Sequence, residues 1–147
     1  MAIDYIVREL KKEDLKSSKG FLKTLENLST VGTIDQKKAQ DILDYINSKD
    51  GHIYVAIDAA EQIIGTATLL VEQKFIHAGG KVGHIEDVAT REGYERKGVG
   101  KAVVGYAVEE AKKFGCYKVI LDFNDENIQC YEKLGCKKYE NCMRHNL

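Results

Sequence analysis

Gly83-His84-Ile85-Glu86-Asp87-Val88-Ala89-Thr90, followed after three residues by Tyr94-Glu95-Arg96-Lys97-Gly98-Val99-Gly100-Lys101, decides how this chain is read. The first stretch has the character of a half-buried strand, with two acids side by side in its middle. The second is a basic glycine loop. It opens an amphipathic run whose apolar face is Val99, Ala102, Val103, Tyr106, Ala107, Ala111 and Phe114, and Gly115 is placed to end that helix. A helix start behind two glycines offers unpaired amide hydrogens and the positive end of the helix dipole, so it suits a phosphate. Arg96, Lys97 and Lys101 add charge there. On these residues alone the loop is either a phosphate site or a plain glycine turn. Two commoner phosphate motifs do not fit it. A Walker loop would need glycine at Glu95 and Ser or Thr at Ala102, and a dinucleotide fingerprint would need glycine at Val103.

Outward from this centre, residues 3–8 read as a first strand. Leu15, Ser18, Phe21, Leu22, Leu25 and Leu28 recur at helical spacing across Gly20, which weakens the middle of that helix. Asp35 caps a second helix with the stripe Ala39, Ile42, Leu43 and Ile46. Asp50-Gly51 turns into a hairpin of residues 52–58 and 63–71, its second strand running on towards Phe75. Ala78-Gly79-Gly80 breaks the chain before the central strand, 82–90. Residues 117–123 form an apolar strand. Ile128, Tyr131 and Leu134 give a short helix ending at Gly135, and residues 136–145 read as a closing strand. The order β-α-α-β-β-β-α-β-α-β predicts an α/β fold in one domain, residues 1–147, around a mixed sheet.

A chain of 147 residues is long enough to bury a core, and a net charge of −1 gives no reason to expect nucleic acid or a membrane surface as partner. No apolar run approaches a bilayer's thickness, and the first residues lack a signal-peptide pattern, so an intracellular, cytoplasmic protein is expected. Cys116, Cys130, Cys136 and Cys142 contain no Cys-x-x-Cys pair and no histidine cluster accompanies them; no metal is expected. They read as buried, small apolar residues of a reduced protein.

The loop resembles the acyl-CoA-binding motif of the Gcn5-related N-acetyltransferases, Gln/Arg-x-x-Gly-x-Gly/Ala. Its glycines fall on Gly98 and Gly100 and its first position on Glu95, with Arg96 one place later. A narrower resemblance runs over nearly the whole chain. Thr30-Val31-Gly32-Thr33, Glu72-x-Lys74-x-Ile76-His77, Gly83-His84-Ile85-Glu86-Asp87, Cys116 to Asp122 and Asn127-x-x-x-Tyr131-Glu132-Lys133-x-Gly135 are similar, in order and spacing, to the glucosamine 6-phosphate N-acetyltransferases. That family implies a mixed, mostly antiparallel sheet flanked by helices, with the central and fifth strands splayed apart. It implies acetyl-CoA as the acyl donor, glucosamine 6-phosphate as acceptor, a homodimer with composite active sites, and a step in UDP-N-acetylglucosamine synthesis.

By the same resemblance the coenzyme contacts Val88, Ala89, Thr90, Arg96, Lys97, Gly98, Val99, Gly100, Lys101, Asn127, Tyr131, Glu132 and Lys133. The acceptor contacts Ser29, Lys74, Phe75, Ile76, His77, Glu86, Asp87, Tyr117, Lys118 and Asp122. The Val88 amide is the natural oxyanion donor. Each residue also has a plainer reading. Glu86 and Asp87, as strand neighbours, should point to opposite faces and so cannot share a proton; they hold the sugar or are merely solvated. Tyr131 is a general acid for the leaving thiolate or a core aromatic. Asp122 orients the amine or caps the following helix. The family's C-terminal phosphate-gripping arginine falls on Asn146, and Arg144, two residues earlier, would share its strand face. The predicted activity is direct transfer of acetyl to the sugar amine. The alternatives are another amine acceptor (a polyamine, an aminoglycoside or a protein amine) and a CoA-binding regulatory domain without turnover.

Overall fold

The computed structural model describes residues 2–147. Five strands, β1 (Tyr5–Glu9), β2 (Gly51–Asp58), β3 (Ile63–Gln73), β4 (Lys81–Thr90) and β5 (Cys116–Leu121), form one sheet in the order β1-β2-β3-β4-β5. Neighbours run antiparallel except β4 and β5, which are parallel. A parallel step needs a crossover, and α3 (Val99–Lys113) supplies it. The mixed, mostly antiparallel sheet expected from the sequence is what forms.

Each face of the sheet is covered by its own helices. Val99, Val103, Val104, Ala107 and Ala111 of α3 are buried against Tyr54, Ala56, Ile64, Ala67, Leu69 and Ile85. On the other face, α1 (Phe21–Glu26) and α2 (Gln36–Ser48) press Phe21, Ala39 and Leu43 onto Ile53, Val55, Ile57 and Ile63. With both faces covered, β2 and the first half of β3 are nearly continuous apolar runs. The carboxylate of Asp35 accepts from the Lys38 amide at 2.8 Å and starts α2 as the sequence predicts. In the β2–β3 turn, Asp58 Oδ1 accepts from the amides of Ala60 (3.0 Å) and Gln62 (2.8 Å) while Glu61 takes a left-handed φ of 59°. Gly65 of β3 lies directly under α3, where a Cβ would collide with Val99. The long helix therefore starts where it does partly because position 65 has no side chain.

Three sequence expectations fail here. The cysteines are not buried: Cys116, Cys130 and Cys136, on β5 and around the last helix, are partly exposed, and Cys142 lies exposed in the tail. Residues 15–28 do not form one helix. They divide into the 3-10 turns Lys12–Leu15 and Ser17–Lys19, and then α1, because Lys16 is extended (ψ 136°) and Gly20 is left-handed (φ 81°). Residues 136–145 form no strand after α4 (Ile128–Glu132); from Lys137 onward every residue is exposed. This tail carries charged and polar side chains with few apolar ones, so it has no alternating face to bury against this sheet. With no strand there, Arg144 shares no strand face with Asn146.

Arg8 and Asp14 tie β1 to the turn that follows it. The guanidinium donates to both carboxylate oxygens at 2.7 and 2.8 Å, and the Lys11 amide adds a third bond at 2.8 Å. Burial pushes the Asp14 carboxyl up, but the Arg8 and Lys11 bonds outweigh it and leave Asp14 below its ordinary value. Its contribution is therefore complete above the usual carboxylate range and is lost as pH falls through its depressed native value. Asp14→Ala strands a half-buried guanidinium and should cost about 2 kcal/mol of unfolding free energy in urea titrations at neutral pH. The difference from the unsubstituted protein should shrink in acid.

Candidate active site

The ladder between β4 and β5 ends at Ile85↔Leu121, whereas β4 continues to Thr90. The two strands part there. Arg91 donates to the Ile64 carbonyl at 2.8 Å, and Ala89 pairs with Thr66, so alternate residues from Ala89 turn their backbone bonds towards β3. Val88 and Thr90 then turn their N–H and C=O groups the other way, into the gap that β5 has left. An extended chain of amides fits such an edge as an added strand would.

Opposite Ala67 the β3–β4 register slips, and Asp87 takes a left-handed φ of 49°. This is a bulge. Ile85 and Val88, three residues apart, both pack on the α3 side of the sheet, so the two acids between them share the other face. The expectation that Glu86 and Asp87 point oppositely is thus overturned, because the extra residue breaks the two-residue alternation. Burial raises the Glu86 carboxyl above its ordinary value, helped by the charges of Asp122 and Asp87 and opposed by His84. Three carboxylates therefore gather where the strands separate. Asp122 caps nothing: the 3-10 turn after it, Asp125–Asn127, is preceded by Asn124 without a side-chain cap.

Beyond β4 the chain turns at Gly93 (φ 88°), Arg96 (φ 61°) and Gly98 (φ 83°) into α3. The amides of Arg96, Lys97 and Gly98 meet no acceptor among the described residues, and those of the first helical turn have none by construction. Gly100 packs against Thr90, where a Cβ would lie 3.4 Å from Oγ1. Lys97 sits 5.9 Å from the Tyr94 ring, its charge at the same loop. The Glu95 carboxylate turns back instead, accepting from the Gly93 amide at 2.7 Å and from Asn27 Nδ2 at 2.9 Å. Amide hydrogens and cations at a helix start, continuous with an open strand edge, form a cradle that fits a pantetheine diphosphate.

Tyr131 is 8% exposed on α4, and burial raises its phenol above the ordinary value, with Cys130 and Cys136 adding to the effect. It lines a cavity of about 900 Å3 beside β5, together with Asp122, His77, Tyr117, Lys118 and Glu132. His77 stacks on Tyr117 at 4.0 Å. A second cavity, of about 270 Å3 under α1 and α2, includes Ser29, Thr66, Thr68 and Asp87 in its lining. Asp87 lines this second cavity and Asp122 the first, and the charges of both act on Glu86.

Other residues expected at the site stand apart on this chain. Lys74 pairs with Glu72 at 2.8 Å, and Phe75 and Ile76 are exposed at the tip of the β3–β4 turn. Asn127 and Lys133 are exposed and line neither cavity. Residues that sequence reading passed over include Asn27, Thr66, Thr68 and Gly65. Only the replacement at Glu95 of a family Gln or Arg hinted at any of them.

A family model described as "Acetyltransferase (GNAT) family" matches residues 21–136. The chain belongs to the GNAT acetyltransferase family. Within that family it is 38% identical over 135 residues to the glucosamine 6-phosphate N-acetyltransferase of Candida albicans, covering 90% of this chain and 89% of the relative. The relative of the same name from Trypanosoma brucei brucei is 33% identical over 147 residues, covering 99% and 97%. The crystal structure of glucosamine-6-phosphate N-acetyltransferase from Arabidopsis thaliana superimposes with a TM-score of 0.91 at 33% identity, over 97% of this chain and 98% of that one. The strand gap, the bulge and the glycine loop described above therefore lie on a GNAT scaffold.

The crowding of charge around Glu86 is directly testable. Asp122→Asn removes one of the charges that hold the Glu86 carboxyl up, so its midpoint should move to lower pH. NMR titration of the side-chain carboxyl resonances checks this.

Proposed function

We propose that this protein is an acetyl-CoA:glucosamine-6-phosphate N-acetyltransferase that acts by direct transfer in a ternary complex. The observation that carries the reading is the joint presence, on one GNAT scaffold, of an open β4 edge beside a cationic helix start and a triad of carboxylates at the point where that edge begins. An anionic donor and a cationic amine acceptor need those two environments side by side. Relatives named for this reaction, at 33–38% identity over nearly their whole length, supply the acceptor.

Acetyl-coenzyme A, when bound, supplies the acetyl group as a thioester and leaves as the free thiol. Val88 and Thr90 hold the pantetheine arm along β4, and the amides of residues 96–101 with Arg96, Lys97 and Lys101 hold the diphosphate. The Val88 N–H donates to the oxygen on which charge develops. Asp87 and Asp122 orient the sugar's ammonium, and Glu86, with its raised affinity for protons, takes the proton that the amine must lose before it attacks. Tyr131, kept protonated by burial, gives its phenol proton to the departing sulfur. No covalent enzyme intermediate is needed, because a positioned, neutral amine is itself a competent nucleophile.

The working form in this reading is a homodimer. The unpaired edge of β5, with Tyr117 and Ile120 partly exposed, and the exposed tail through Tyr139 and Met143 form a surface that a second copy would cover. Phe75 and Ile76, remote from the site on their own chain, then reach the partner's site, and Arg144 comes close to a sugar phosphate. The reaction belongs to UDP-N-acetylglucosamine synthesis in the cytoplasm, carried out by one catalytic domain. Among the described residues no helix is long and apolar enough to cross a membrane.

Two measurements test the reading. Release of CoA thiol should be at least about a hundredfold more efficient, in kcat/KM, with glucosamine 6-phosphate than with glucosamine, since a site built for a phosphate rejects its absence strongly. Equal turnover of the two sugars, or preference for a polyamine, would overturn the acceptor. Tyr131→Phe should lower kcat by about a hundredfold with little change in either KM; unchanged kcat would return Tyr131 to the core.

A further inference from the structure

Glu95 stands where the family's coenzyme motif has Gln or Arg, and its carboxylate does not face the helix start. Oε2 accepts from the Gly93 amide at 2.7 Å, which closes the first turn of the loop on itself. Oε1 accepts from Nδ2 of Asn27 at 2.9 Å, and the same Nδ2 donates to the Thr90 carbonyl at 2.8 Å. Both amide hydrogens of Asn27 are thus used. One goes to the last residue of β4, the other to the donor loop. The Glu95 carboxyl lies below its ordinary value, through its own backbone N–H first and then Asn27 and Gly93, so it is ionised at neutral pH and its bonds are charge-assisted.

Asn27 is the C-cap of α1, and the chain runs from it within two residues to Ser29, Thr30 and Val31, which line the cavity that Asp87 also lines. The Leu28 and Ser29 amides both bond back to the Leu25 carbonyl, at 2.9 and 3.2 Å, so this stretch is a tight continuation of α1. A displacement of Asn27 is therefore passed to Ser29–Val31. At the other end, the Thr90 carbonyl belongs to the open edge of β4, and Glu95 fixes the loop before the first helical amides. One side chain spans the acceptor wall, the donor edge and the diphosphate loop.

We propose that Asn27 and Glu95 form a coupling clasp: they are positioning residues that hold the acceptor-side segment and the coenzyme loop in one mutual arrangement, so that order in either half-site favours binding in the other. The inference rests on the acetyl-transfer reading above. The clasp takes over, by bracing the loop, what a Gln or Arg at position 95 would do by touching the diphosphate. Its negative charge is tolerated there because Asn27 and the Gly93 amide hold it.

A double-mutant cycle tests this. Asn27→Ala, Glu95→Ala and the combined variant are compared with the unsubstituted protein by calorimetric titration with coenzyme A and by steady-state KM for glucosamine 6-phosphate. Each single change should weaken coenzyme A about tenfold and raise the sugar KM several-fold, with kcat within about twofold; the double variant should be no worse than the weaker single one. Glu95→Gln, which keeps an acceptor for Asn27, should recover the sugar KM as well as coenzyme affinity; recovery of coenzyme affinity alone, through direct contact of the new side chain with the diphosphate, would overturn the clasp. Thermal unfolding confirms that each variant is folded, and a merely structural pair would move that midpoint without moving the sugar KM. Additive losses, a sugar KM indifferent to Glu95, or tighter coenzyme binding after Glu95→Ala (the result if its charge simply repels the diphosphate) would each overturn the clasp. If the unsubstituted protein binds coenzyme A but acetylates no sugar, the acceptor assignment fails; the clasp stands on the coenzyme cycle and fails if that is additive. Absence of coenzyme binding in the unsubstituted protein would sink both.

Discussion

The backbone of β4 beyond Ile85 has a partner on one side only, and the site follows from that single unmet requirement. Buried or half-buried amides and carbonyls need hydrogen bonds, and a strand that loses its neighbour in mid-course must find them elsewhere. Here β5 stops at Leu121 while β4 runs five residues further, leaving Val88 and Thr90 with their bonding groups turned into a gap. Asn27 meets one of these groups, the Thr90 carbonyl. The others are disposed for an extended ligand that carries its own amides. The bulge at Asp87 is part of the same construction, for it turns Val88 towards the α3 side and sets two acids on the opposite face.

Charge is sorted along this gap. At one end are the basic loop and the start of α3, at the other Glu86, Asp87 and Asp122. Like charges packed around Glu86 would be wasteful in a purely structural role, since each raises the cost of ionising the others. Beside a substrate ammonium the same crowding becomes favourable, and the proton the amine sheds has a ready acceptor. The overall charge of −1, the sum of 22 basic and 23 acidic residues, conceals this polarity.

Much of the scaffold was legible because it rests on local rules. The apolar stripe of α3, the Asp35 cap and the β2–β3 hairpin each follow from spacing or a single side chain, and all three form. The helix expected over residues 15–28 failed at Gly20, where a left-handed backbone overrode a plausible stripe. The final strand failed because a strand needs a partner, which no single-chain pattern can promise. At the site, the glycine loop and the acids were visible as residue types, and Tyr131 and Asp122 do meet in one cavity. The shared face of Glu86 and Asp87 was not legible, since a bulge is fixed by register with β3 and leaves no mark in the two residues themselves. Asn27 was equally silent: its partners lie 63 and 68 residues away.

The β3–β4 turn has a consequence for recognition. His77, Ala78 and Gly79 are all left-handed, at φ 52°, 55° and 75°, a conformation that costs non-glycine residues about 1 kcal/mol or more each. Gln73 Nε2 holds the turn closed by bonding the Gly79 carbonyl at 2.7 Å and the Lys74 carbonyl at 3.1 Å, and the His77 ring is clamped on Tyr117. Phe75, wholly exposed, is therefore carried on a stiff spur and not on a floppy loop. Whatever surface receives that ring meets a backbone whose conformational freedom has already been given up, so little entropy is lost on contact and orientation is set before the encounter.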